Sequence, residues 1–367
     1  MIKKYFRDLF SRFNKKSIVS KILIPLFICI YLFIFIISLV PCNYIILTPG
    51  SLTNTIASVS IDNTNSRGQI CTVGIFEYVR PSVLQYWVSK NKKEIIIEEY
   101  VKGEDLSEEQ SLQFGTVSKT VSINNALILA YEKAKEVDSN INIVKKYEGV
   151  IVSVLLDSKE TDLKSDDIIT KVNGESFNDY NEFRDLITKY KNDKYITLSV
   201  KRKNNKKEYF DLSITCNYKH EDEKTYLPFS AYDYYSVDGK NSNPKFTVTD
   251  AYNSIGSSGG AMLALSIYNG LLEKDVTKVN IDGKEVNLLI TGTGTIDING
   301  TVGDISGVEQ KIFTAYNSGA NVFFVNSEDY EACVSAFNKY QFDENAMRII
   351  KVSTFDQILD ALENWGE

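Results

Sequence analysis

The chain has 367 residues, a formal net charge of −7, five cysteines and one histidine. Residues 1–21 hold seven positive charges against one negative, so the remainder carries −13, an acidic balance that excludes nucleic acid as a partner. The cysteines (Cys29, Cys42, Cys71, Cys216 and Cys333) are scattered without a Cys-x-x-Cys, and neither His-Glu-x-x-His nor Gly-x-x-x-x-Gly-Lys-Ser/Thr occurs, which argues against a disulfide framework, a zinc hydrolase and a nucleotide-driven machine.

In chain order, the basic leader 1–21 precedes a run from Ile22 to Val40 that is apolar apart from Pro25 and Ser38. That length predicts a transmembrane helix over 22–41, and the positive leader predicts a cytoplasmic amino terminus with everything beyond Pro41 outside the cell. The competing reading is a cleaved signal peptide. Against it stand the long charged leader, the long apolar core and the lack of an Ala-x-Ala-like site. Leu39-Val40-Pro41-Cys42 is a poor lipoprotein cleavage site, because proline directly precedes the cysteine.

The roughly 325 residues that follow suffice for two compact domains. Residues 42–143 form the first part of this ectodomain, with the polar run Lys102–Gln110 expected as a surface loop. From 144 to 216 the pattern changes. Gly149–Leu155 is β-rich, Asp167–Gly174 reads as strand then turn, Tyr180–Tyr190 has helical spacing, and Tyr195–Arg202 alternates like a strand. This order resembles a PDZ domain, with Lys164-Ser165-Asp166-Asp167 where that family usually carries Lys-Pro-Gly-Asp. The resemblance implies a peptide-binding loop made of Tyr147, Glu148, Gly149 and Val150, whose amides would receive a peptide's carboxyl end. The plainer reading is a β-rich spacer. The lysine- and asparagine-rich run Lys201–Lys207 is expected at a hairpin tip.

In residues 217–367, Gly256-Ser257-Ser258-Gly259-Gly260 formally matches the nucleophile elbow of α/β-hydrolases, but no histidine follows position 220 to complete that triad. His220 itself lies in a charged connector. A serine nucleophile here needs another base, and a lysine amine stripped of its charge by burial can serve. After Ser258 the chain is apolar to Tyr268, predicting a buried helix that puts Ser258 at its amino end, where free amides and the helix dipole favour an oxyanion. The alternative is that Ser258 merely caps the helix. Lys311 shares its helix side with Val308 and Ala315, so it faces the apolar stripe rather than water. Before it, Thr291–Gly303 reads as a hairpin with an Asn-Gly turn and hydroxyls able to orient an amine. Asn321–Val325 and Arg348–Val352 read as strands, and Ser327–Lys339 and Thr354–Leu362 as helices, with Cys333 in the core.

These stretches resemble the proteolytic domain of Lon-type serine proteases, and more closely the membrane-anchored bacterial proteins that join a PDZ domain to a Lon-like domain. The matching runs are 256–260, Ser-Ile-Tyr-Asn at 266–269, Thr-Gly-Thr-Gly-Thr-Ile-Asp at 291–297 and Val-Gly-Asp-Ile-Ser-Gly-Val-Glu-Gln-Lys at 302–311, with Tyr44–Gly50 and Ser122–Tyr131 upstream. The resemblance implies an α+β ectodomain behind a transmembrane helix, the PDZ-like part (144–216) inserted before a Lon-like α/β domain (217–367). It also implies a Ser-Lys dyad with Ser258 as nucleophile, Lys311 as general base and Thr293 as a supporting hydroxyl, with no metal or other cofactor and no nucleotide. Ser257 is the rival nucleophile. The family usually has Gly-Pro-Ser-Ala-Gly, whereas Ser257 and Gly259 stand here. The expected activity is an ATP-independent serine endopeptidase of the cell membrane acting on exported or membrane-adjacent peptides or proteins; homo-oligomerisation is compatible with it. The alternative is an inactive, membrane-tethered peptide-binding or scaffold protein.

Overall fold

The computed structural model describes residues 17–62, 64, 68–221, 224–249, 255–281 and 283–365. Most of the basic leader lies outside them. In chain order come α1 (Ile18–Leu39), β1 (Tyr44–Asn54), β2 (Val59–Ile61), β3 (Gln69–Val79), α2 (Val83–Ser89), β4 (Ile96–Glu99) and the long α3 (Glu108–Val137). The second stretch holds β5 (Lys145–Leu155), β6 (Ile168–Val172), β7 (Glu175–Ser176), α4 (Tyr180–Lys189), β8 (Tyr195–Lys203) and β9 (Tyr209–Asn217). Next are β10 (Lys219–Glu221), β11 (Lys224–Tyr226), β12 (Phe229–Val237), β13 (Phe246–Val248), α5 (Gly260–Leu271), β14 (Lys278–Ile281) and β15 (Lys284–Asn287). The last are β16 (Leu289–Gly292), β17 (Thr295–Ile296), β18 (Val302–Gly303), α6 (Val308–Asn317), β19 (Val322–Asn326), α7 (Tyr330–Lys339), β20 (Arg348–Val352) and α8 (Phe355–Glu363).

The chain divides into two units, one of residues Met1–Leu47 and Glu77–Val101, the other of Thr48–Phe76 and Lys102–Glu367. In the first, α1 is 22 residues long, includes an 18-residue stretch with a mean hydropathy of 3.0 and has no buried residue, so it is long and apolar enough to cross a membrane. Its start at Ile18 absorbs the end of the expected leader. β4 pairs antiparallel with Tyr44–Leu47.

Among the described residues, the second unit contains four two-stranded sheets and two large ones. In one, β16 runs parallel to β3 and to β19, and β19 runs parallel to β20. Parallel strands are covered on both faces. One face packs Ile70, Ile290 and Phe324 against Leu127, Met262 and Phe355 of α3, α5 and α8; the other packs Val73, Phe323 and Val325 against Ile312, Cys333 and Phe337 of α6 and α7. Cys333 is thus a core residue, as its setting in the sequence suggests.

The other sheet runs β12-β5-β6-β8-β9. α4 closes one side, where Phe183 joins a core with Val150, Val172 and Ile196. α3 covers the other, its Val117 and Val121 against Ile151, Ile168 and Tyr234. β12 was expected to lie outside this domain, in 217–367. It nonetheless pairs with β5 of this sheet, and its Phe229 extends the same apolar core. α3 starts at Glu108 behind a Ser107/Gln110 capping box, so the expected loop at Lys102–Gln110 ends in helix. The tip between β8 and β9 falls where the lysine cluster placed it.

Candidate functional site

The turn Ile255–Gly259 is fixed from three directions. The Gly256 amide donates to Gly115 O on α3 (2.8 Å), Ser122 Oγ of α3 donates to Ser257 O (3.1 Å), and Gly294 N donates to Ser258 O (2.8 Å). Ser258 is therefore held by its backbone while its side chain stays free of capping duty. The cap of α5 is Gly259, which makes no side-chain cap bond. A Cβ on residue 259 would come within 2.6 Å of Thr72 Oγ1 on β3, so the glycine at this departure from Gly-Pro-Ser-Ala-Gly answers to Thr72.

Lys311 lies on α6 with 2% of its surface exposed, and Thr293, just beyond β16, with 1%. Its Nζ donates to Thr293 Oγ1 at 3.1 Å, and that hydroxyl in turn donates to Ser258 O at 3.2 Å. The three expected residues thus form one chain of contacts, with Thr293 as the link. Among the described residues, no hydrogen bond joins Ser258 Oγ to Lys311 Nζ. Burial lowers the Lys311 pKa to about 8, and the charge of Asp329 opposes this only in part. Asp329 is itself tied down by Ile305 N (3.0 Å) and Asn326 Nδ2 (2.6 Å). The β17–β18 hairpin that leads to this region carries the expected Asn-Gly turn but begins at Thr295, because Thr291 and Gly292 belong to β16 of the parallel sheet.

The expectation of free amides at the helix's amino end needs correction. The amides of Gly260 and Ala261, at the start of the helix, already donate to Ser257 O (3.0 Å) and Gly294 O (3.2 Å), so the helix's first amides are engaged. His220 is exposed and its Nδ1 sits 3.0 Å from Thr225 Oγ1 in the β10–β11 hairpin, which suits its reading as part of a connector. Sequence reasoning missed Thr72, Ser122 and Asp329. Ser122 lay in a run already singled out, but the other two are brought in by sheet and helix packing alone.

The peptide-binding expectation needs correction. Tyr147, Glu148, Gly149 and Val150 do not form an open loop; they lie inside β5, with β12 along one edge (Tyr147 opposite Tyr235, Gly149 opposite Tyr234, Val150 opposite Asp233) and β6 on the other from Val150. Glu148 is the extra residue of a bulge in that pairing. Gly149 has φ +132, and a Cβ there would meet Ile169 O at 2.2 Å, so only glycine fits. Burial pushes the Glu148 carboxyl up, but hydrogen bonds from Lys146 and Ser236 and the charge of Lys201 outweigh it and hold it below the usual range. The cavity of about 360 Å³ beside it is lined by these partners together with Tyr209, Asp211 and Tyr234.

The last strand of this sheet on that side is β12. Its Asp233 carboxyl, raised by burial, accepts from the Tyr147 hydroxyl (3.0 Å) and the Tyr180 backbone at the start of α4. Asn124 Nδ2 of α3 takes the Tyr235 carbonyl at 2.8 Å. Comparison with known proteins finds no match among curated ones. Residues 136–213 match the PDZ domain family, so the chain contains a PDZ domain, a module that binds peptides and occurs in both proteases and scaffolds.

Proposed function

We propose that this protein is a membrane-anchored serine endopeptidase with a Ser-Lys dyad, Ser258 as nucleophile and Lys311 as general base. The observation that carries the reading is the amine of Lys311: buried to 2% exposure, its pKa lowered to about 8, and given, among the described residues, a single neutral hydroxyl as hydrogen-bond partner. A lysine kept for stability would have a carboxylate beside it. Near neutral pH an appreciable fraction of this amine is uncharged, which leaves a lone pair able to take a proton.

In that reaction the Ser258 hydroxyl rotates toward Nζ, gives up its proton and attacks the peptide carbonyl carbon. The protonated amine then donates to the departing amino group, and Lys311 next deprotonates the water that releases the acyl group. Thr293 is a positioning residue: it ties the amine to the backbone of Ser258. α1 supports placement in a membrane, the basic leader's charge argues for an acidic remainder outside, and a peptide joining the PDZ sheet would add along β12, beside α4.

The second reading is a peptide-binding module without catalysis. It is favoured by the lack of a bond between Ser258 Oγ and Lys311 Nζ. Peptide-library profiling of the full-length chain in detergent, with Ser258→Ala beside it, separates the two. Cleavage by wild type and none by S258A supports the peptidase, whereas peptide retention without cleavage in both supports the binding module.

A further inference from the structure

α2 has seven residues, too short to persist on its own. Four constraints hold it. Ser82 and Gln85 form a capping box; Val83 N donates to Val40 O at 2.9 Å, Cys42 N donates to Pro81 O at 2.8 Å, and the Tyr86 ring stacks on Tyr44 at 4.6 Å. The helix is therefore fastened to the residues that directly follow the apolar α1. With Tyr86 turned inward, Leu84, Trp87 and Val88 share the opposite face at i, i+3 and i+4. Trp87 is 58% exposed and Val88 59%. The Lys90 ammonium lies 5.8 Å from the Trp87 ring centre, and Lys92 and Lys93 follow, three lysines against Glu94 in residues 90–94.

We propose that the Leu84–Trp87–Val88 face docks on the outer surface of the membrane that α1 crosses, with Trp87 at headgroup level and Lys90, Lys92 and Lys93 toward anionic lipid phosphates. This rests on the reading of α1 as an anchor. Tryptophan is favoured at this depth because its ring is apolar and its N–H needs a polar partner, and each lysine near an anionic surface strengthens attachment by roughly fivefold. Continuity with the span selects lipid over a protein as occupant: the face begins at Leu84, the residue after Val83, which bonds to the last turn's cap at Val40.

The test uses the full-length chain in vesicles of phosphatidylcholine with about one-quarter phosphatidylglycerol. The chain has two tryptophans. Subtracting the emission of Trp87→Phe from that of wild type isolates Trp87 without touching the buried Trp365. Phosphatidylcholine brominated near the top of its acyl chains should remove about half or more of this difference signal, while aqueous iodide removes little. Replacing Lys90, Lys92 and Lys93 together by glutamine should weaken the quenching, and omission of phosphatidylglycerol should weaken it for wild type only. Iodide quenching without an effect of brominated lipid would overturn the proposal, as would shielding from both quenchers, which would mean a protein covers the face. Release of the chain by alkaline carbonate would overturn the anchor itself; a retained chain with a water-facing Trp87 overturns only the docking.

Discussion

Among the described residues of the larger unit, two charged side chains are buried, Asp167 and Lys311, and the structure treats them in opposite ways. Asp167 of the PDZ domain, with 1% of its side chain exposed, accepts from Arg202 Nε at 2.7 Å, Arg202 Nη2 at 2.6 Å and the Lys164 amide at 2.7 Å. Lys311, almost as hidden, has among the described residues only the Thr293 hydroxyl as hydrogen-bond partner, with the Asp329 charge acting on it without an ion pair. The first arrangement satisfies a charge and holds two strands and a loop together; the second leaves a charge undersatisfied, so its proton is easily given up. Burial alone does not mark a reactive group. What marks it is burial without a matching counter-charge.

If that distinction holds, the largest effect falls on chemistry. Lys311→Arg should lower peptide hydrolysis by roughly a thousandfold or more, because guanidinium keeps its proton, while circular dichroism stays native. Wild-type activity should rise with pH through a midpoint near the Lys311 pKa of about 8. A pH profile that is flat from neutral upward, or an active Lys311→Arg, would break the comparison at its reactive end.

On the structural side, Arg202→Met leaves Asp167 buried and unpaired and should destabilise the PDZ domain by about 3–5 kcal/mol. Combining it with Asp167→Asn should recover part of the loss. Hydrogen exchange across β6 and β8 reads both; a single variant as protected as wild type would mean that the ion pair holds nothing.

The opposite sign is expected at Lys311. Its folded pKa lies below the unfolded value of 10.5, so the cost of burying the charge is present in full below about pH 8, fades as pH rises between 8 and 10.5, and is gone above. Lys311→Met should accordingly raise stability by about 2–3 kcal/mol at neutral pH, with the advantage shrinking toward pH 10.5. Denaturation midpoints at several pH values would show it. An equal advantage at every pH would assign the gain to packing instead.

The smallest effect concerns the link. Thr293→Val should slow hydrolysis by about tenfold and move the alkaline limb, while Thr293→Ser keeps both near wild type. Loss of rate with an unmoved limb in both variants would make Thr293 a packing residue.

Much of this was legible in the sequence because it depends on local pattern. An unbroken apolar run predicts a helix of membrane length whatever surrounds it; β alternation around Gly149 and Tyr195 predicts strands; and a lysine on an apolar helix stripe must be buried wherever that helix packs. The Ser258 glycine run likewise announces a turn before a helix. Tertiary structure decided the rest, since the deciding partners are distant in sequence. Tyr147–Val150 could be a loop or a strand until β12, more than seventy residues later, covered one edge and Ile169 O demanded glycine at 149. The meeting of Thr293 with both Ser258 and Lys311, the fit of Gly259 to Thr72, and the lack, among the described residues, of an ion pair at the Lys311 amine all follow from which strands lie side by side, and strand order is set by the packing of whole faces rather than by any one segment.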